Sequence, residues 1–161
     1  MNRNIAHLCL VLALACTYAG CGDGRAPTAP SGPQSFLTGT WRGTMTIEVN
    51  PGDPGALPPT SGTTTWTFEV VPNTNLQTFR ATIRSEHAWL PITTIATTAI
   101  VPGNTPPAQI STQGDFSSPR GCRGTFSSFG MADATRIDAD FHGTDCNLAT
   151  FTGRIVLTKG G

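Results

Sequence analysis

Apolar and polar residues alternate along most of this chain with a period of two. Trp41, Gly43, Met45, Ile47 and Val49 alternate with Arg42, Thr44, Thr46 and Glu48, the pattern of a strand with one buried face. Trp66, Phe68 and Val70 alternate with Thr65, Thr67 and Glu69. Across a Pro72-Asn73-Thr74-Asn75 turn, Phe79, Ala81 and Ile83 alternate with Thr78, Arg80, Thr82 and Arg84, so these two segments predict a hairpin. Cys122, Gly124 and Phe126 share a face, as do Ile137, Ala139 and Phe141 opposite Arg136, Asp138, Asp140 and His142. Phe151, Gly153, Ile155 and Leu157 form the apolar face of a closing strand. The run from Trp89 to Val101 is β-branched but blurred in its alternation, and Ala108 to Phe116 predicts a short strand after a Pro102–Pro107 turn. Pro51 to Gly62 (PGDPGALPPTSG) reads as a long loop full of breakers.

No helical period interrupts this pattern after the first 35 residues. Strands at such spacing, joined by turns rather than crossovers, predict an all-β fold. The expected arrangement is an antiparallel up-and-down meander of about eight strands closing into a small barrel, with a β-sandwich as the alternative. Closure removes the sticky edges of a Thr-rich sheet.

The first 21 residues differ in kind. Arg3 and the apolar run Leu8–Ala15 form the n- and h-regions of an export signal, and Tyr18-Ala19-Gly20-Cys21 follows. The run is shorter than the about 20 apolar residues of a transmembrane helix. Ala19, Gly20 and Cys21 resemble the bacterial lipobox, in which cleavage just before a Cys leaves that residue acylated. Ala13-Leu14-Ala15 before Cys16 fits the pattern less well. The resemblance implies residues 1–20 as signal peptide and Cys21 as the lipidated N-terminus. It implies an exported protein anchored to a bacterial membrane, the outer membrane by preference, facing the periplasm or the surface. Each buried CH₂ contributes about 0.8 kcal/mol, so one acyl chain holds marginally and two or more hold firmly. Gly22–Ser35 (GDGRAPTAPSGPQS) has no apolar periodicity and reads as a tether, leaving residues 36–161 as the folded domain.

Cysteine usage fits export. Of five cysteines, Cys9 and Cys16 leave with the signal and Cys21 carries lipid. Cys122 and Cys146 remain as an even pair where disulfides persist, which predicts a bridge; two buried free thiols are the alternative. Zinc would want more ligands than these two and a stray His.

Charge removes further options. Ten Lys and Arg balance ten Asp and Glu, with no patch dense enough for nucleic acid. No Gly-x-Ser-x-Gly elbow, phosphate loop or inward carboxylate pair is present, so the chain predicts no enzyme and no cofactor. The best constellation is Asp138, Asp140 and His142 on one strand face with Asp145 close by: a divalent-ion site or, more plainly, a solvated face. Trp41, Trp66, Trp89, Phe68, Phe79, Phe126 and Phe141 either line a ligand cavity or fill the barrel as core.

Leu37-Thr38-Gly39-Thr40-Trp41-Arg42-Gly43 resembles the Gly-x-Trp opening of lipocalin-like (calycin-like) barrels. The segment ending His142-Gly143-Thr144-Asp145-Cys146, with Phe151–Lys159, is similar to Thr/Gly-rich bacterial lipoproteins. The lipocalin pattern places an Arg near the chain end over that Trp; here Arg154 falls on the opposite parity, and only Lys159 shares the face of Leu157. The resemblance implies a binding module for a small apolar ligand or an envelope component. The competing expectation is a structural or protein-interaction lipoprotein with a solid core, working through loops such as Pro51–Gly62.

Overall fold

The alternation becomes eight strands in a computed structural model that describes residues 35–71, 77–92, 95–101, 105–146 and 148–160. They are β1 (Gly39–Val49), β2 (Leu57–Val70), β3 (Gln77–Ser85), β4 (Ile95–Val101), β5 (Ala108–Ser117), β6 (Arg123–Ala132), β7 (Arg136–Asp145) and β8 (Ala149–Lys159). Each pairs antiparallel with its sequence neighbours. β1 also pairs with β8, from Trp41 opposite Lys159 to Val49 opposite Phe151, so the meander closes into a barrel rather than splitting into a sandwich. No helix occurs among the described residues. The segment expected as signal, Cys21 and the expected tether up to residue 34 lie outside the described residues, as does the expected Pro72–Asn75 turn.

The faces follow the predicted parity. Trp41, Met45, Ile47 and Val49 of β1 are buried, and Ile137, Ala139 and Phe141 of β7 are buried against exposed Arg136, Asp140 and His142. Val70 departs from it. It ends β2 beyond the covered interior and is exposed.

Two segments depart from the expected elements. The Pro51–Gly62 loop is shorter than its breakers suggest: β2 starts at Leu57, and Ile47 pairs with Thr60 while Val49 pairs with Leu57. One extra residue on β2 makes a bulge that admits Pro58 and Pro59, as bulges and strand starts can. The Trp89–Val101 stretch is strand only from Ile95. Before it, Glu86–Ile92 is irregular, yet His87, Leu90 and Ile92 are buried. This lid lies beside the part of β2 that outruns β3, with Glu86 N donating to Thr63 O and Ser85 N to Ile92 O, 2.9 Å each.

The barrel therefore has two unlike ends. At the entry end, where residue 35 leads into β1, lie Phe68, Ala132 and Lys159. At the opposite, bridged end lie the β1–β2 loop, the lid and the β5–β6 and β7–β8 turns. A Cys122–Cys146 disulfide joins those last two turns, with Cα atoms 5.2 Å apart.

Candidate functional site

Rings occupy the interior from one end to the other. Phe68 meets Trp66 (centroids 6.0 Å apart), Trp66 meets Phe126 (5.8 Å), Phe126 stacks on Phe141 (5.5 Å) and Phe141 meets Phe151 (6.1 Å). Phe116 and Trp89 both pack on Phe151 at the bridged end. Three inward glycines make room for this spine. A Cβ on Gly124 would come within 3 Å of the Phe116 ring, one on Gly143 within 3 Å of Phe151, and one on Gly153 within 3 Å of Phe141. The aromatic residues singled out from the sequence thus resolve into core: Trp41, Trp66, Phe68, Phe79, Phe126 and Phe141 are each at most 3% exposed. Trp89 is half-buried in the lid.

The row Asp138, Asp140 and His142 faces outward as predicted, but its members have other commitments. Arg154 Nε and Nη2 donate to the two Asp138 carboxylate oxygens (2.7 and 2.8 Å), and Arg136 Nη2 adds a bond of 3.0 Å. These bonds, Arg154's first and Arg136's next, hold the Asp138 carboxyl well below the usual carboxylate range, at about 2. Asp140 lies opposite Phe129 and Arg154, and His142 opposite Ser127 and Thr152. Asp145 does not join the row. It continues the inward parity of Phe141 and Gly143 and is 1% exposed.

What converges instead is a cluster at the bridged end. Among the described residues, the side chains of Cys122, Asp145 and Cys146 bring their sulfur and carboxylate atoms within 4.8 Å of one another. Arg120 pairs with Asp145 Oδ2 while its guanidinium lies 4.7 Å from the centroid of the Trp89 ring. His87 fixes the lid beside it. Its Nδ1 accepts from Trp89 N–H (3.1 Å), which leaves Nε2–H to donate to Thr60 O (2.9 Å). Trp89 Nε1 is buried with no acceptor among the described residues.

Sequence reasoning missed this cluster because it set Asp145 beside the outward Asp138 row and gave Arg120 no role. The signal was present in the parity: Ile137, Ala139, Phe141, Gly143 and Asp145 share one face, and a carboxylate on an apolar face needs a partner. Arg120, in a turn, carries no periodicity that would have named it.

Open space lies on the outer wall. A groove of about 410 Å³ runs over Gln113, Asp115, Thr125, Ser127 and His142, and another of about 580 Å³ borders the β5–β6 turn from Asp115 to Arg123. Both are lined largely by polar residues and lie toward the bridged end. No protein family, curated protein or solved structure compared with this chain matches it.

Proposed function

We propose that this chain is a lipid-anchored cell-envelope protein, tethered through Cys21, that binds an envelope partner through the outer surface of its bridged end and performs no catalysis. The observation that carries this reading is the aromatic spine. The space that a small apolar ligand would occupy in a hollow lipocalin-like barrel is taken by Trp66, Phe126, Phe141 and Phe151, packed to within a methyl group of the backbone at Gly124, Gly143 and Gly153. Pockets for such ligands span roughly 300 to 1,000 Å³ and are mostly preformed and apolar. The two grooves described above are on the outside and lined largely by polar residues.

The polarity of the chain supports the same reading. The first described residue leads into β1 at the entry end, and the β1–β2 loop, the lid and the bridged turns form the opposite end of the barrel. The test is mass spectrometry of the protein isolated from its own membrane, with cross-linking before extraction. Cross-links from the bridged-end loops to one envelope protein or glycan are expected, with Cys21→Ser releasing the folded protein from the membrane. A stoichiometric apolar molecule recovered from inside the barrel overturns the solid-core reading.

A further inference from the structure

The environment of Asp145 is incomplete while the disulfide is intact. Its Oδ2 takes the Arg120 guanidinium, but its Oδ1 faces two sulfur atoms, Cys122 Sγ and Cys146 Sγ, each 3.8 Å away. Sulfurs joined to each other carry no proton to donate. Among the described residues no N–H or O–H donor reaches Oδ1 either, so a carboxylate oxygen at a 1% exposed residue is left with lone pairs aimed at a bridge. A buried acceptor without a donor is costly, and its persistence calls for an explanation. The three atoms become mutually satisfying only when the sulfurs are reduced and a proton or a cation sits among them.

We infer that the reduced form of Cys122 and Cys146, together with Asp145, is a binding site for a thiophilic divalent ion of the zinc type. Zinc takes thiolate sulfur at about 2.3 Å and carboxylate oxygen at about 2.0 to 2.2 Å, so tetrahedral ligands stand about 3.5 Å from one another. The present 3.8 Å from each sulfur to Oδ1 is close to that spacing, so Asp145 needs little movement; only the two sulfurs must part. A water fills the fourth position, as in open three-ligand sites. Asp145 is the ligand that two cysteines and a remote histidine lacked.

The chemistry balances. A dithiol reductant exchanges with the Cys122–Cys146 bridge, supplies two electrons and two protons, and leaves as its own disulfide. Metal entry releases the two thiol protons. Two thiolates and one carboxylate carry three negative charges against two on the ion, and the Arg120 guanidinium on Oδ2 supplies the remaining positive charge. The site is then neutral overall, which a buried cluster requires. Arg120 also orients the carboxylate, in the manner of the outer-shell partners that fix metal ligands.

The experiment uses the full chain carrying Cys9→Ser, Cys16→Ser and Cys21→Ser, so that Cys122 and Cys146 are its only cysteines. Reduced anaerobically with a phosphine and titrated with Co²⁺, it is expected to bind one ion with the visible bands of tetrahedral cobalt and a thiolate-to-cobalt charge-transfer band. Zn²⁺ should displace the cobalt, and the disulfide form should bind none. Asp145→Asn, which keeps both thiols, should weaken binding by at least about tenfold. Absence of the tetrahedral bands in the reduced chain, or equal affinity in Asp145→Asn, overturns the inference. Should Asp145→Asn fail to fold, alkylation of the reduced parent chain decides the matter: one equivalent of Zn²⁺ must protect both thiols, and unprotected thiols overturn the site.

Discussion

The two ends of this barrel are closed by different means. At the entry end the closure combines short-range bonds, the strand ladder and the Lys159 side chain reaching back to the start of β1. Trp41 Nε1 donates to Leu37 O at 2.7 Å, Gly160 N donates to Thr40 O at 2.9 Å, and the Lys159 ammonium lies 5.4 Å from the Trp41 centroid while donating to Phe36 O. The β6–β7 turn is pinned by Asp133 Oδ1, which accepts from Thr135 N and Arg136 N at 2.6 Å, and those bonds lower the Asp133 pKa. At the bridged end, side chains from segments remote in sequence meet over the core: Thr60, His87, Trp89, Arg120, the disulfide and Asp145. Ladder registry brings the parts of the first end together, and Lys159 and Asp133 add to what the register has already placed. The second needs a covalent link because nothing periodic brings its parts together.

The largest expected effect tests the entry end. Trp41→Ala empties a fully buried position and removes the bond to Leu37 O, and should cost about 3 to 5 kcal/mol in urea unfolding. Lys159→Met, which removes the cation above the same ring and the ammonium's bond to Phe36 O, both exposed, should cost about 0.5 to 1.5 kcal/mol. Equal losses from the two would mean that the ring is held by its cation rather than by burial.

Next comes the bridge. Replacing both Cys122 and Cys146 by Ala opens a loop with a sequence separation of 24 and should cost about 3 to 4 kcal/mol, read as a lower urea midpoint. Amide exchange sharpens the comparison. Protection should fall in Glu86–Ile92 and the β5–β6 turn and hold at Gly39–Gly43, at the entry end of β1; a uniform fall would show that the ends are not independent.

A pair of conservative changes contrasts the two ends directly. Trp41→Phe removes a hydrogen bond as well as volume, whereas Trp89→Phe removes an N–H that has no acceptor among the described residues. Trp41→Phe should be the more destabilising by about 1 to 2 kcal/mol, because the donor lost at Trp89 carries a burial cost of its own. The reverse order in thermal unfolding would break the contrast.

The smallest effect lies on the outer wall, away from both ends. The Asp138 carboxyl is held at about 2 by Arg154 and Arg136, below its unfolded value. A lowered carboxylate pKa stabilises above the unfolded pKa, and that stability is lost as pH falls from about 4 through about 2. The pair is largely solvated, so Asp138→Asn should cost no more than about 1 kcal/mol near neutrality. The difference from the parent should vanish at the acid end of that window. A difference that persists there would assign the loss to packing.

Legibility in the sequence follows the same division. Period-two alternation identified the inward faces of β1, β7 and β8, and the pairing of Trp41 with Lys159 across the seam follows from a meander that closes. Pro58 and Pro59 concealed the start of β2, since a proline reads as a breaker unless the bulge that admits it is known. The lid was illegible for a deeper reason. His87, Leu90 and Ile92 are buried by tertiary position, with no regular backbone to impose a period on them. Asp145 lay between these cases: its parity placed it inside, and only the meeting of two turns revealed its partners.

The seam between β1 and β8 also sets a timetable. Lys159 and Phe36, in contact at the entry end, are 123 positions apart. A chain delivered N-terminus first, from a ribosome or through a membrane channel, presents β1 with one bare edge until β8 arrives. Every intermediate length is an open, Thr-rich sheet whose free edge invites pairing with another molecule. Closure of the barrel thus waits for β8, because the β1–β8 seam joins elements far apart in the sequence. Loss of the last strand alone would leave a sticky remnant in place of a smaller barrel.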